Sequence, residues 1–300
     1  MRSEEAKLRI RVRKARSSDR EAVFKICEKT WSWGDYIPKV WDQWLRDKDS
    51  RVFVATIDGV PVGITQLSLD KPHEVWLRAA RTDPNHRQMG VATAITKKCL
   101  QHAKREGAKV ARLVTETDNV AAQAVVKKLG FQPVAEFAEM KTENVVQSES
   151  KNSKWAGRNE MESLWSYLQE SETYRKAAGL YTVLYHWFSL EKGDLERFVE
   201  QRKAIVHRKG GEIDGLMLIE DAPAREWHAN TMQTCYIDGD YNSVYETAKF
   251  LQNHCYALGV KKIYGFTPNH KPVTEALEEL GFEMPEAISI VYEKRIRQSL

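Results

Sequence analysis

This chain of 300 residues contains few cysteines, and they lie far apart in the sequence. The four thiols, Cys27, Cys99, Cys235 and Cys255, show no paired spacing of the kind that disulfide frameworks and zinc sites use. Cys99 and Cys255 fall on apolar faces of predicted helices, where buried thiols are common. The pattern indicates a protein of the reducing cytoplasm and gives no reason to expect a metal site.

Long apolar runs and a strong net charge are also lacking. No run reaches the length of a transmembrane helix, and no secretory signal segment is recognisable. The 46 basic and 42 acidic residues leave a net charge of only +4. The basic residues between Arg9 and Arg16 alternate with apolar ones, which is typical of the solvated face of a first strand. We therefore expect no membrane or nucleic-acid partner. The length suffices for two domains.

A glycine loop, Arg87-Gln88-Met89-Gly90-Val91-Ala92, is the most informative local motif. A predicted strand over 74–82 precedes it, and a predicted amphipathic helix over 92–106 follows. The N-terminus of a helix offers free backbone N–H groups and the positive end of the helix dipole. Together, strand, loop and helix predict a cradle for a diphosphate group.

The residues after the loop add a second signature. A predicted strand, 109–115, is followed by Asn119-Val120-Ala121-Ala122, a helix over 120–129 and Leu129-Gly130-Phe131. The joint pattern over residues 8–142 resembles the acetyl-CoA-binding core of the GNAT superfamily of N-acetyltransferases. The resemblance implies an acyltransferase with acetyl-CoA as cosubstrate. It also implies an α/β fold of the α+β GNAT type, with a mixed, mostly antiparallel twisted sheet flanked by helices.

A faint internal repeat predicts a second copy of this fold. The segment from Gly107 and the segment from Gly259 both run through strand, Asn turn, short helix and Leu-Gly-Phe. The hairpin expected around 51–66 is repeated around 203–218. We interpret residues 1–145 as the catalytic domain, 146–172 as a polar linker with a leading helix at 161–170, and 173–300 as a degenerate copy. At 237–243 that copy lacks the basic residue and the Gly-x-Ala pair of the first loop.

The family resemblance assigns the cofactor contacts. In GNAT enzymes the strand before the loop splays from its neighbour, and its backbone pairs with pantetheine and the thioester. The positions implied here are Ala80, Arg81 and Thr82 on the strand, Arg87, Gln88, Met89, Gly90, Val91, Ala92 and Thr93 in the loop, and Asn119.

Two carboxylates are candidates for the general base that takes a proton from the acceptor amine. Glu74 stands thirteen residues before Arg87, as does the catalytic glutamate of the superfamily's histone acetyltransferases, and Glu116 closes the second strand. Both could instead be solvated charges at strand ends. Many relatives carry a Tyr acid where this chain has Val126.

The segment from Thr30 to Leu45 is the predicted acceptor side. Its Asp-Tyr-Ile-Pro run and the later Glu-Val-Trp-Leu are similar to the histidine N-acetyltransferase-like branch of the superfamily, which acetylates free amino acids. The substrate-binding candidates are Trp33, Asp35, Tyr36 and Arg78, with Arg81 as a second possible clamp for a carboxylate. Trp41 and Trp44 are predicted to lie in the core.

These patterns predict an N-acetyltransferase that acts on the primary amine of a small molecule, such as an amino acid. Two alternatives stay open. One is an acetyltransferase for protein lysines or N-termini. The other, suggested by Val126 and the degenerate repeat, is a non-catalytic module that senses acetyl-CoA. The sequence does not predict the oligomeric state.

Overall fold

The chain forms two compact units in a computed structural model that describes residues 9–31, 34–221 and 230–297. The first unit runs to Leu113 and also contains 120–132 and the C-terminal residues from Tyr292. The second unit contains 114–119 and 133–291. Because the units are not continuous stretches of chain, the division after residue 145 stays a prediction.

The first unit is built on five strands in the order β1-β2-β3-β4-β5, antiparallel except for the parallel pair β4–β5. Helices cover both faces of this sheet. Trp41 and Trp44 of α2 are buried with Val52 and Val54 of β2, as predicted. Phe53, on the opposite face of β2, contacts His102 of α3 with ring centroids 5.5 Å apart. The elements are β1 (Arg11–Lys14), α1 (Arg20–Glu28), α2 (Ile37–Arg46), β2 (Ser50–Ile57), β3 (Val60–Lys71), β4 (Glu74–Thr82), α3 (Val91–Arg105), β5 (Val110–Glu116) and α4 (Val120–Lys128).

The second unit has the strand order β6-β13-β12-β11-β10-β7, in which only β12 and β13 are parallel. Its core lies between this sheet and helices α8 and α9. A separate hairpin, β8–β9, contributes Trp187, whose ring packs against Phe137 and Phe266. The elements are β6 (Gln132–Thr142), β7 (Ser153–Trp155), α5 (Met161–Glu170), α6 (Glu172–Lys176), β8 (Leu180–Val183), β9 (His186–Ser189), α7 (Lys192–Glu200), β10 (Ala204–Lys209), β11 (Glu212–Asp221), β12 (Thr231–Gly239), α8 (Tyr241–Ala257), β13 (Lys262–Pro268) and α9 (Lys271–Glu279). The last strand, β14 (Ile288–Arg295), begins in the second unit and ends in the first.

Strand registers confirm the repeat. In the first unit Thr82 of β4 lies opposite Gly63 of β3, and in the second unit Gly239 of β12 lies opposite Gly215 of β11. The parallel pairs also correspond, since β4–β5 begins at Glu74 and Val110, and β12–β13 begins at Thr231 and Lys262. Arg81 and Asp238 therefore occupy equivalent strand positions.

One part of the expected linker is a strand. Ser153–Trp155 forms β7 and pairs with β10, so these residues of the expected linker belong to the sheet of the second unit, and the linker bounds stay a prediction. The indole of Trp155 packs edge-on against Phe250 and His254 of α8, at centroid distances of 5.3 and 4.9 Å. This aromatic anchor explains why a polar segment joins the sheet.

Within the described ranges, no helix is both long and apolar enough to cross a membrane.

Candidate active site

The candidate site is organised by the parting of β4 from β5. The two strands pair only from Glu74 to Trp76 on β4 and from Val110 to Arg112 on β5. β4 continues against β3 as far as Thr82. Beyond Trp76, no other strand of the described chain pairs with the free edge of β4. Backbone groups at Ala80, Arg81 and Thr82 can therefore bind a ligand at this edge.

A β-bulge lies where β4 leaves its partner. Ala79 has a φ of +58°, and the register shift places Ala79 and Ala80 opposite the single residue Thr65. Bulges turn the following side chains and occur often beside active sites. The bulge interrupts the alternation of side chains between the two faces of β4. Trp76, just before the bulge, is 1% exposed.

The loop after β4 leaves the N-terminus of α3 open. The N-cap of α3 is Gly90, with a φ of +86° and no capping hydrogen bond from a side chain. A Cβ added at Gly90 would meet no heavy atom within 4 Å. The residues from Arg87 to Gly90 are exposed, and Val91, Ala92 and Thr93 form the first turn of the helix. The residues present thus fit the diphosphate of acetyl-CoA.

In the second unit, the equivalent helix N-terminus, that of α8, is capped by a side chain. Asp240 caps α8, its Oδ1 accepting a hydrogen bond of 2.8 Å from the backbone N of Ser243. This carboxylate is the side-chain cap of the helix. A Cβ at Gly239 would lie 2.2 Å from Oγ of Ser243, so the turn has no spare room. The geometry supports the prediction that this copy lacks a diphosphate site.

Two of the acceptor candidates contact each other. Nε of Arg81 donates a 2.7 Å hydrogen bond to Oδ2 of Asp35, and the two side chains are 12% and 1% exposed. Oδ1 of Asp35 accepts from the backbone N of Ile37 at the start of α2. The guanidinium of Arg81 lies over the rings of Trp31 and Tyr36, at 5.6 and 5.9 Å. Asp35 thus joins β4 to the α1–α2 loop, and its role in substrate binding stays a prediction. Trp33 lies outside the described residues.

The side chains of Arg78 and Tyr36 both contact the ring of Trp44. Nε of Arg78 donates a 2.7 Å hydrogen bond to Oε1 of the buried Gln66, and its guanidinium lies 5.2 Å from the Trp44 ring. Tyr36 is 36% exposed and packs edge-on against Trp44. Arg78 is thus held by β3 and α2, and a substrate role for Arg78 or Tyr36 stays a prediction.

Glu74 lies at the closed end of the strand pair. Its Oε2 is 2.9 Å from a guanidinium nitrogen of Arg112, whose Nε is 2.9 Å from Oε2 of Glu293. Glu74 is five residues before Ala79, a separation of about 17 Å along a strand. This position weighs against Glu74 as the base, although the assignment stays a prediction.

Glu116 ends β5, four residues beyond the last pair with β4. Partial burial, together with the negative charges of Asp118 and Glu139, raises the pKa of its carboxyl group. A raised pKa suits a carboxylate that must accept a proton near neutral pH. Asn119, exposed just before α4, donates its backbone N–H to the carbonyl of Glu116 at 3.1 Å.

Sequence reasoning missed a cluster in the second unit. The hydroxyl of Tyr185, in the β8–β9 turn, donates a 2.9 Å hydrogen bond to Oε2 of Glu139 on β6. Tyr264 of β13 also interacts with both groups. The bonded residues are 46 positions apart, and no local pattern marks either of them. Phe266 of β13 brings them together, since it lies opposite Glu139 on β6 and its ring contacts the ring of Tyr185.

Comparison with known proteins agrees with this geometry. The model of the acetyltransferase (GNAT) family matches residues 20–131. The chain contains a GNAT acetyltransferase domain. An uncharacterised N-acetyltransferase of Methanocaldococcus jannaschii is 28% identical over 109 residues, 32% of this chain and 48% of that protein. Histidine N-acetyltransferase of Xenopus tropicalis is 28% identical over 110 residues, 36% of this chain and 34% of that protein. The chain thus spans less than half of either relative.

Solved structures extend the GNAT likeness to both units. A GCN5-related N-acetyltransferase of Sphaerobacter thermophilus has a TM-score of 0.60 at 10% identity, covering 97% of each chain. A tandem GNAT protein from the clavulanic acid biosynthesis pathway has a TM-score of 0.53 at 11% identity, covering 97% of this chain and all of the other. At these identities the likeness shows the fold alone, which is a tandem GNAT fold.

Substitution of Gly90 tests the cradle of the GNAT domain. Gly90→Glu places a negative side chain at the open N-terminus of α3, so we expect calorimetry to detect no acetyl-CoA binding. Gly59→Glu is the matched control because Gly59 has a φ of +85° and equally open surroundings, in the β2–β3 turn. Both variants carry a similar backbone strain of about 1–2 kcal/mol. If Gly90→Glu binds acetyl-CoA as Gly59→Glu does, the loop is not the cradle.

Removal of the Arg81 charge tests the contact with Asp35. In Arg81→Met the carboxylate of Asp35 is left buried without its cation, so we expect a loss of about 3 kcal/mol in the free energy of unfolding. Asp35→Asn combined with Arg81→Met should recover part of this loss, as measured by urea unfolding. Equal stability of Arg81→Met and the wild type would show that the pair does not hold the loop.

Proposed function

We propose that the protein is an acetyl-CoA-dependent N-acetyltransferase for the primary amine of a small molecule, such as an amino acid. The observation that carries the proposal is the open edge of β4 beside the side-chain-free N-cap of α3. An extended thioester arm and a diphosphate need these two features side by side. Family membership of residues 20–131 supports the same activity.

Strand β4 and helix α3 bind the two parts of acetyl-CoA in this proposal. Bound acetyl-CoA supplies the activated acetyl group. The backbone of Ala80, Arg81 and Thr82 holds the thioester arm and donates to the carbonyl oxygen as charge develops there. The N-terminal turn of α3, from Val91 to Thr93, holds the diphosphate. These contacts fix the acyl carbon for attack, which lowers the entropic cost of the reaction.

We infer that Glu116, rather than Glu74, is the general base. The amine nitrogen forms a bond to the acyl carbon, the carbon–sulfur bond breaks, and the ammonium proton passes to the Glu116 carboxylate. Val126 has no proton to donate, so the leaving thiolate takes one from water. The raised pKa of Glu116 supports this role, whereas Glu74 is held by Arg112.

The small-molecule acceptor is supported by two observations. Histidine N-acetyltransferase, a relative by sequence, is named for a free amino acid. Arg81 donates through Nε to Asp35 and through one Nη to the carbonyl of Ala80. Its further N–H donors, which bond no residue that the structure describes, suit the carboxylate of an amino acid. A protein acetyltransferase and an acetyl-CoA sensor are distinguished by assay. The former would acetylate peptides in preference to free amines, and the latter would bind acetyl-CoA without releasing thiol.

Glu116→Gln is expected to lower kcat by about 10²–10⁴ at pH 7, because general-base catalysis contributes that much. The base works only when deprotonated. Wild-type kcat/KM should therefore fall as the pH drops through a pKa that Asp118, Glu139 and partial burial hold above the ordinary glutamate value. In the variant this acidic limb should vanish. Thiol release over a pH series measures both effects.

Glu74→Gln is the paired control. Arg112 keeps Glu293 as its partner, so we expect kcat within about threefold of the wild type. A large defect in Glu74→Gln with a normal Glu116→Gln would reverse the assignment. Full activity in both variants would contradict a carboxylate base.

A further inference from the structure

The last residues of β14 form part of the first unit. Residues 292–297 follow the whole second unit in the sequence, but they belong to the unit that contains β4 and α3. Ile296 donates its backbone N–H to the carbonyl of Lys109, just before β5, at 2.8 Å. Side chains of a strand alternate between its two faces, so this short segment can hold different elements on its two sides.

One face of the segment contacts α4. The hydroxyl of Tyr292 donates a 3.3 Å hydrogen bond to Oε1 of Gln123 in this helix. Nζ of Lys294 donates a 2.8 Å hydrogen bond to the carbonyl of Leu129, at the C-terminal end of the helix. A cation at this end also interacts favourably with the helix dipole. A Cβ added at Gly130 would lie 2.7 Å from the same Nζ, so the glycine leaves room for the lysine. Strand β14 thus holds α4 at two points.

The other face of the segment contacts Arg112 of β5. Nε of Arg112 donates a 2.9 Å hydrogen bond to Oε2 of Glu293, and its Nη1 lies 2.9 Å from Oε2 of Glu74 on β4. Arg112 is 6% exposed and lies opposite Trp76, in the last paired position before β4 and β5 part. A buried cation is stable only beside its carboxylates, so these contacts fix Arg112. They therefore fix the point at which the opening between β4 and β5 begins.

We propose that Lys294 and Glu293 are positioning residues for the pantetheine arm of acetyl-CoA. Glu293 acts through Arg112 on the closed end of the opening, and Lys294 acts through α4, the helix that carries Val126. The inference rests on the proposed function, in which this arm lies along β4. A helix that is already ordered loses no further mobility when the cofactor binds, which favours binding. The side-chain contacts that the structure describes for both residues lie on α4 and β5, away from the N-terminal turn of α3. The arm and the diphosphate should therefore respond differently to their substitution.

Two ligands separate the arm from the diphosphate. 3′-Phospho-ADP carries the diphosphate of acetyl-CoA but has no pantetheine arm. In calorimetric titrations of the full chain, Lys294→Met should weaken acetyl-CoA binding about tenfold, because a hydrogen bond from a charged group is lost. The affinity for 3′-phospho-ADP should change by about twofold or less, since α3 keeps its cap. Lys294→Arg can still donate to the carbonyl of Leu129, so its acetyl-CoA affinity should stay within about threefold of the wild type.

Three further measurements serve as controls. Lys261→Met removes the same charge from an exposed position of the second unit and should leave both affinities unchanged. Amide exchange over 120–128 should be faster in free Lys294→Met than in the free wild type, because α4 has lost a contact. Thermal unfolding checks that each variant is folded. If Lys294→Met is unstable, Glu293→Gln replaces it, because Arg112 then keeps Glu74; it should weaken acetyl-CoA binding about threefold and leave 3′-phospho-ADP binding unchanged.

The outcomes distinguish this inference from the proposed function. Equal losses for the two ligands would show a general loss of structure and overturn the positioning role. Unchanged acetyl-CoA affinity in the variants, or no recovery in Lys294→Arg, would also overturn it. A wild type that binds no acetyl-CoA would contradict both the inference and the proposed function. Normal binding without acceptor-dependent thiol release would contradict the proposed function alone.

Discussion

Backbone hydrogen-bonding groups must find partners, and among the described residues of the first unit two sets of them lack a neighbouring strand or a side-chain cap. One set is the edge of β4 after Trp76, where β5 no longer pairs. The other is the first turn of α3 after Gly90, which supplies no side-chain cap. A ligand that offers acceptors along an extended arm and at a diphosphate satisfies both sets. The activity proposed for the chain depends on this arrangement.

The second unit has the same fold, but the equivalent helix N-terminus is capped by a side chain of the chain itself. Asp240 fills the N-terminus of α8 with a carboxylate of the chain itself. At the position equivalent to Arg81, the buried Asp238 accepts hydrogen bonds from Tyr167 and Ser171 at 2.9 and 2.8 Å. Asp35 and Ser171 correspond as well, since each precedes the second helix of its unit. Both copies therefore tie this strand position to the loop before that helix, with opposite charge on the strand.

Several elements of both units could be predicted from local patterns. The strand 74–82, the helix 161–170, the buried tryptophans of α2 and the two hairpins follow from periodicity and turn residues. Helix α3 begins one residue before its predicted start. The bulge at Ala79 could not be predicted, because alanine carries no signal for a positive φ. The ion pairs of Asp35 with Arg81 and of Glu74 with Arg112 join residues distant in sequence, and single-residue chemistry does not specify such partners.

Amide hydrogen exchange of the full chain, with and without acetyl-CoA, tests the central claim most directly. The account predicts slower exchange at Ala80–Thr82 and at Val91–Thr93 when the cofactor is present. At Tyr241–Ser243, the equivalent turn of the second unit, it predicts no change. Equal protection of both helix N-termini would show that the second copy also binds the cofactor. Unchanged exchange at Val91–Thr93, under conditions where binding is measured, would contradict the proposed cofactor site.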